Sequence, residues 1–452
     1  MKLSIDSNKT YQQFKGIGAS GAWWAQVVGK WTATEPDGTP TKDKIASLLY
    51  SKEDGIGMHI YRYNLGGGSA QSGNGNYWNE DRRAESFDAG EGKYDFTADE
   101  GAVYMMRKSV EMGADEVIFF VNSPIERLTK NHWAHVDKKE TGRCNLPKKN
   151  VAPFCNYVLD VTEHFKNEGL PIKYISPINE PVWVWNGGQE GCHYMPRFAG
   201  KIMRHFAIEL KKREGLKGVK LSGLENGDIR WFNKCYTRNL MKYKETREMI
   251  DAVDIHSYFL HPIKPFLSDR LAYMRRFRRF VERKYPDKGI VMSEWCHMQG
   301  GRDKTMASGM VTANTMIDDM TIMNAMSWQH WIACSPVDYC DGLIYVDYEK
   351  QTYDMTKRYY VTGNFSKYIP LGAVRVEAST DDADVKAISF TKGDKIITVL
   401  VNNSDSPKDY IPETDIKIAV TDKNNDLAER ECKAGSAVTI TPQSVTTIIS
   451  EV

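Results

Sequence analysis

The chain has 452 residues, 41% of them apolar, with 60 Lys and Arg set against 59 Asp and Glu for a net charge of +1. That length holds one large domain and a smaller one, and the apolar content supplies a core without disulfides or metals. The charge balance leaves no dominant electrostatic partner and no basic stripe of the kind a nucleic-acid binder carries.

Residues 1–9 contain no apolar run that reads as a signal peptide, and no stretch approaches the ~18 apolar residues of a membrane span. With Met1 as the natural start, a cytoplasmic protein away from membranes is expected; with a leader removed, a secreted one. Eight cysteines, at 144, 155, 192, 235, 296, 334, 340 and 432, match no small disulfide framework and form no Cys-x-x-Cys pair. They are expected to be reduced and mostly buried, with a bridge left open by the sequence.

From residue 14, short β-branched or aromatic runs alternate with longer amphipathic segments. The strand pattern falls at 14–18, 58–64, 116–122, 173–179, 219–225, 253–258, 289–294 and 326–332. The clearest helix runs from Pro147 to Gly169, with Val151, Phe154, Cys155, Val158, Thr162 and Phe165 on one stripe. Proline suits a first turn and glycine an end. Eight β-then-α units predict a (β/α)8 TIM barrel over 14–365, and the long connections 66–92 and 123–145 follow strands, where a barrel builds its active-site face. Near residue 370 the pattern becomes alternating strands with polar turns, at 374–377, 385–391, 395–402, 416–420, 437–440 and 446–449. The expected fold class is thus α/β, a barrel with an attached small all-β sandwich domain.

Two glutamates stand out at the ends of predicted strands four and seven. Strand four closes as Ile178-Asn179-Glu180-Pro181, and strand seven as Met292-Ser293-Glu294-Trp295. A lone glutamate at a strand end is often a solvated edge or the cap of the next helix. Two of them, at the ends of strands four and seven of eight, fit the pair of carboxyls that glycoside hydrolysis needs: one protonated to assist the leaving group, one charged.

Those strand ends resemble the retaining glycosidases of the large (β/α)8 clan. Nearly the whole chain is similar to glycoside hydrolase family 30, through "FKGIGASGAWWAQ" (14–26), "YRYNLGGGS" (61–69), "ISPINEP" (175–181), "QEGCHY" (189–194), "VMSEW" (291–295) and "YYVTGNFSKYIPLGAVRV" (359–376). The resemblance implies Glu180 as acid/base and Glu294 as nucleophile. It also implies a sandwich that takes in the N-terminal segment, so that residues 1–13 join 366–452. "QEGCHY" and "GAWWAQ" look closest to the β-1,6-galactanase branch, which makes β-1,6-galactan or its oligosaccharides the leading substrate. Glucose, fucose, glucuronate or xylose at the reacting subsite stays open, as does exo against endo attack. One departure bears on the substrate: relatives often carry two prolines and an aromatic after strand three, whereas here Asn122-Ser123-Pro124 leads into Ile125-Glu126-Arg127.

Around the two glutamates, Asn179 is placed to hydrogen-bond a sugar 2-OH, Arg62 to hold Glu294 charged, and Tyr258 to donate to Glu294. His256 and Asn122 are expected beside them. Trp331 with Trp23 or Trp24 is expected to form a stacking floor for a pyranose, although each aromatic also suits a core. Gly16-Ile17-Gly18-Ala19-Ser20-Gly21 matches a dinucleotide fingerprint, but Trp23 and Trp24 follow where a helix must open, and strand two ends without an acid. His132, His135, Cys192-His193 and Cys296-His297 show no standard zinc spacing. No cofactor and no metal are therefore expected, and the partner is a carbohydrate. The rival from another class is an inactive carbohydrate-binding protein on the same fold; decay of that kind usually removes a catalytic carboxylate, and both are present.

Overall fold

The computed structural model describes residues 1–230, 232–259 and 269–451. After β1 (Leu3–Gln13) come eight parallel strands: β2 (Gly16–Ser20), β3 (Ile60–Asn64), β4 (Glu116–Phe120), β5 (Ile172–Ser176), β6 (Lys220–Leu221), β7 (Ala252–His256), β8 (Gly289–Trp295) and β9 (Ala325–Ser335). Ladders run in the order β9-β2-β3-β4-β5-β6 and β7-β8-β9. The ring closes between β6 and β7 through a single bridge, Asn226 to Ile255. There Asp254 N–H donates to Gly223 O at 3.1 Å and His256 N–H to Asn226 O at 3.0 Å.

The fifth barrel strand is therefore shorter than its sequence pattern of 219–225. Leu224 takes φ 32°, a left-handed conformation that interrupts the pleat. Pairing resumes only as isolated bridges, Asn179 to Glu225 on one side and Asn226 to Ile255 on the other. The other barrel strands are buried almost throughout, as expected where helices cover a parallel sheet.

Helices supply the outer ring. Pro196–Lys211 buries Ala199, Ile202, Met203, Phe206, Ala207 and Leu210, the i, i+3, i+4 stripe of a helix lying on a sheet. The helix expected from Pro147 begins as a 3-10 turn, Lys148–Asn150, and becomes α-helical at Val151–Asn167. Gly169, at φ 96°, stops it. Among the described residues, no helix is long and apolar enough to cross a membrane.

A hairpin of β10 (Gly342–Asp347) and β11 (Thr352–Met355) extends the barrel sheet beside β9; the sequence pattern gave no sign of it. The side domain contains β12 (Val374–Thr380), β13 (Val385–Lys392), β14 (Lys395–Asn402), β15 (Lys408–Tyr410), β16 (Ile416–Thr421), β17 (Ala428–Cys432), β18 (Val438–Ile440) and β19 (Ser444–Glu451). Its seven-stranded antiparallel sheet runs β1-β12-β13-β14-β19-β16-β17, with β15-β18 as a separate ribbon. On β14, Ile397, Val399 and Val401 join the barrel's core cluster while Leu400 joins a second one with Ile418, Val438 and Ile440. Alternate residues of one strand thus tie the sheet to the barrel on one face and to the ribbon on the other. Asn364, on the last barrel helix, donates to Ala419 O and Thr447 Oγ1. All eight cysteines are free thiols, five of them buried.

Asp99 precedes helix Glu100–Met112 at φ 51°, is 3% exposed and accepts from Tyr63 OH. Burial pushes its carboxyl up to about 8. Its folded pKa lies above the ~3.9 of an unfolded aspartate, so the folded chain holds the extra proton and loses relative stability as pH rises through 8. Asn accepts the same hydrogen bond and tolerates the left-handed backbone. Asp99→Asn should therefore melt increasingly above the parent between about pH 5 and pH 8, by roughly 1 kcal/mol or more. A pH-independent difference would remove this group from the account.

Candidate active site

The candidate site lies at the C-terminal ends of the barrel strands. Asn179 is fixed by its bridge to Glu225, and Glu180 follows at φ 43°. That left-handed turn costs of order 1 kcal/mol. It is held by Glu180 N–H donating to Glu225 O at 2.7 Å and by Trp185 Nε1 donating to Glu180 O at 3.0 Å. Gly227 makes room for the result, since a Cβ there would stand 2.7 Å from Glu180 Oε1 and 2.1 Å from Trp183 Nε1. On β8 a register shift opposite Ile255 and His256 sets His256 against Glu294. An irregularity of this kind re-aims a side chain at a barrel rim.

Both glutamates are buried, Glu180 at 8% and Glu294 at 5% exposure. One oxygen of each and a ring nitrogen of His256 all lie within 4.8 Å of one another. Arg62, with no exposed surface, donates to Glu294 Oε2 at 2.7 Å, to Asn179 Oδ1 at 3.3 Å and to Glu225. Its guanidinium lies 3.7 Å from the Phe120 ring centre and 6.0 Å from that of Trp331. Tyr258 OH donates to Glu294 Oε1 at 3.3 Å. Asn179 donates to Asn122 at 2.9 Å, and Asn122 to Asn64 at 3.2 Å.

His256 stands among three carboxyl groups. Nδ1 is 2.9 Å from Glu180 Oε1 and 3.4 Å from Glu294 Oε1, and Nε2 is 3.5 Å from Glu225 Oε2. Burial alone would strip its proton, but Glu294, Glu180 and Glu225 outweigh burial and hold its pKa at about 10. Burial pushes the Glu180 carboxyl up, against the pull of His256 and with Glu294 adding to the rise. Glu225 is equally buried, yet Arg62 and His256 bring it below the usual carboxylate range. Two nitrogen cations thus face three carboxyl groups, and one shared proton makes the cluster neutral. Glu180, His256 and Glu294 would suit a divalent cation by residue type. Arg62, however, already provides positive charge there.

The sequence reading gave Glu225 and Gly227 no role: Glu225 closes the pattern 219–225 without a motif around it, and its approach to Arg62 exists only in the closed barrel. Trp23 packs edge-on against Trp331, with ring centres 5.2 Å apart. Trp24 does not join them: it is fully buried at the start of the short helix Trp24–Val28, with Nε1 donating to Ser20 O. Beyond Trp23, Arg82 lies 4.7 Å from its ring centre and 5.4 Å from that of Trp78, which is 80% exposed.

Two of the segments that bear on the substrate serve as scaffold. In "QEGCHY", Glu190 is buried and accepts from Gly67 N–H, Ser69 N–H and Ser69 Oγ, clamping the long connection after β3. Of the segment after β4, Ile125 and Glu126 are buried and Arg127 pairs with Asp88. His132, His135 and His193 contact neither glutamate; His135 accepts from Asn76 N–H and His193 meets Trp183 O.

Replacing His256 by Gln removes a positive charge beside Glu180 and should raise the Glu180 pKa, moving the alkaline limb of kcat/KM up by roughly one pH unit. An unmoved limb, or a downward shift, would contradict this electrostatic reading.

The sequence profile of O-Glycosyl hydrolase family 30 matches residues 1–345. An endo-beta-1,6-galactanase of Hypocrea rufa is 23% identical over 433 residues, covering 89% of this chain and 81% of that protein. Among solved structures, a conserved exported protein from Bacteroides fragilis superposes with a TM-score of 0.88 at 22% identity, covering 100% of both chains. A family 30 endoxylanase from Clostridium papyrosolvens superposes at 0.71 with 18% identity, again over 100% of both. A barrel with an attached β-sandwich, a rim that gathers carboxyl groups and a profile match over most of the chain converge: this protein belongs to glycoside hydrolase family 30 and is a β-glycosidase acting on carbohydrate.

Proposed function

We propose that the protein cleaves β-1,6-linked galactan from within the chain by a retaining double displacement, with Glu180 as acid/base and Glu294 as nucleophile. The observation that carries the mechanism is that an oxygen of each carboxyl lies within 4.8 Å of an oxygen of the other, too close to leave an attacking water between them. Retaining enzymes hold their carboxyls ~5–5.5 Å apart, whereas inverting ones leave ~6.5–9.5 Å for a water. The sugar and the endo mode are supported by the galactanase relative and by the Trp23-Arg82-Trp78 wall, which offers stacking surface beyond one ring.

In this reading Glu294, oriented by Arg62 and Tyr258, attacks the anomeric carbon from the face opposite the leaving group. Glu180, buried and protonated, gives its proton to the departing glycosidic oxygen. Asn179 is positioned toward the 2-OH, a contact that strengthens as the oxocarbenium-like state forms. Glu180, now charged and steadied by His256, then takes a proton from water as that water releases the sugar from Glu294. Trp331 and Trp23 supply the pyranose floor.

The roles separate by leaving group. Glu180→Ala should release a burst of dinitrophenol from a dinitrophenyl β-galactoside and then stall, and azide should rescue turnover with a β-galactosyl azide as product. Glu294→Ala should lose several orders of magnitude on every substrate. A Glu180→Ala enzyme without a burst, or a β-azide from the Glu294 variant, would swap or abolish the assignment.

Substrate length and identity have their own test. On β-1,6-galactan, Trp78→Ala should lower kcat/KM by roughly three- to tenfold, the effect of one lost stacking contact. Turnover of a nitrophenyl β-galactoside should be unaffected. Turnover of β-glucosides or β-glucuronides with none of β-1,6-galactooligosaccharides would reject the sugar, and release of single galactoses only would reject endo attack.

A further inference from the structure

On the outer wall of the barrel lies a basic groove that the catalytic reading leaves unused. Helices Asn233–Leu240 and Arg270–Lys284 flank a depression of about 710 Å³ lined by Lys234, Arg238, Arg276, Arg279, Arg283 and Lys284, over a floor of Phe280. All six cations are exposed. Among the described residues, none of the six has a carboxylate within 4.0 Å. Their neighbours are matched: Arg270 pairs with Asp319, and Arg278 with Glu282, the groove's one acid, both at 2.7 Å. Lys234 and Arg238 stand 5.7 Å and 5.4 Å from the Phe280 ring centre. In a chain of net charge +1, six unpaired cations on two adjacent helices repel one another, and that repulsion is relieved when an anion enters.

The groove also has a direction. A second depression of about 370 Å³ shares Lys234, Arg238 and Arg276 and continues to Ile229, Phe232 and Tyr273. Phe232 is 63% exposed. Ile229 N–H donates to the carbonyl of Tyr258 at 3.1 Å, and Tyr258 is the residue whose hydroxyl touches Glu294. The second depression thus reaches a residue, Ile229, that is bonded to the backbone of Tyr258.

We propose that this groove is a second, non-catalytic binding site for the acidic units of a polysaccharide, whose uronate carboxylates or sulfate esters pair with the six cations. The choice of a glycan rests on the glycosidase reading and on the aromatic rings of Phe232 and Tyr273 in the adjoining depression. A flat membrane surface fits a concavity with a buried apolar floor poorly.

Binding of dextran sulfate, polygalacturonate, neutral dextran and a single-stranded oligodeoxynucleotide should be measured at about 0.02 M and about 0.3 M salt. The parent should bind both acidic glycans at low salt, lose most of that affinity at high salt, and ignore neutral dextran. The exposed triple variant Arg238→Glu/Arg279→Glu/Arg283→Glu should bind them at least tenfold more weakly while hydrolysing a nitrophenyl β-galactoside at the parental rate, which also reports its fold. The milder Arg279→Ala/Arg283→Ala pair should move affinity the same way. Absence of acidic-glycan binding, a variant that binds like the parent, or tighter binding of the oligonucleotide than of either glycan would overturn the proposal. Failure of the parent to cleave any aryl β-glycoside would instead count against the glycosidase reading and leave the binding result to be judged separately.

Discussion

A guanidinium with no exposed surface sits at the centre of the barrel rim, and the rest of the site is arranged around the cost of keeping it there. Burying an isolated charge costs many kcal/mol unless partners surround it. Arg62 has Glu294 and Glu225 as ionic partners, Asn179 as a neutral acceptor and the face of Phe120 beneath it. Removing either carboxylate would leave part of that charge uncompensated, a loss of about 3–5 kcal/mol in buried pairs generally. His256 adds a second positive charge among the same acids. With two cations and three carboxyl groups, the cluster is neutral when a single proton remains on a carboxyl. In the proposed mechanism that proton resides on Glu180, the group burial pushes up, so one electrostatic balance yields a protonated acid and a charged nucleophile side by side.

The fold supplies this arrangement from separate strands. Arg62 lies on β3, His256 on β7 and Glu294 on β8, while Glu180 and Glu225 lie just past β5 and β6. None is a sequence neighbour of another; only barrel closure brings them together. The loops then fix what the strands aim. Glu190, pushed up to about 7 by burial, holds Gly67 and Ser69, while Gly191 N–H donates to Ala134 O at 2.9 Å. The connections after β3, β4 and β5 are thereby stitched into one surface, and the family-like stretch "QEGCHY" is a fastening of that surface.

Much of this was legible in the sequence because the signals are local. Barrel strands buried on both faces read as continuous apolar runs, and the glutamates closing strands four and seven stand at their ends whatever the loops do. Arg62, Asn179, Asn122, Tyr258 and His256 are joined to the two glutamates by direct or relayed hydrogen bonds, and most of them sit at or just beyond a strand end, where sequence pattern can find them. What escaped depended on tertiary contact, on backbone detail or on summation. Glu225 closes the pattern 219–225 but stands in no motif, and its contact with Arg62 forms only when the barrel closes. Trp24 differs from Trp23 by one residue, and only the folded chain shows which ring packs against Trp331. β15 is three residues long, and β17 is mostly exposed with no apolar alternation, so pattern had nothing to act on. The basic groove vanished in a balanced total charge, because its cations come from two helices separated by a barrel strand.

The central claim is that Glu294, held by Arg62, forms the bond to the sugar. Incubation with dinitrophenyl 2-deoxy-2-fluoro-β-galactoside slows both chemical steps, yet its good leaving group allows the covalent intermediate to accumulate. Peptide mapping by mass spectrometry should find one fluorogalactosyl adduct, on the peptide containing Glu294, with inactivation in step with labelling. An adduct on Glu180 or Glu225, or complete turnover with no covalent species, would contradict the account.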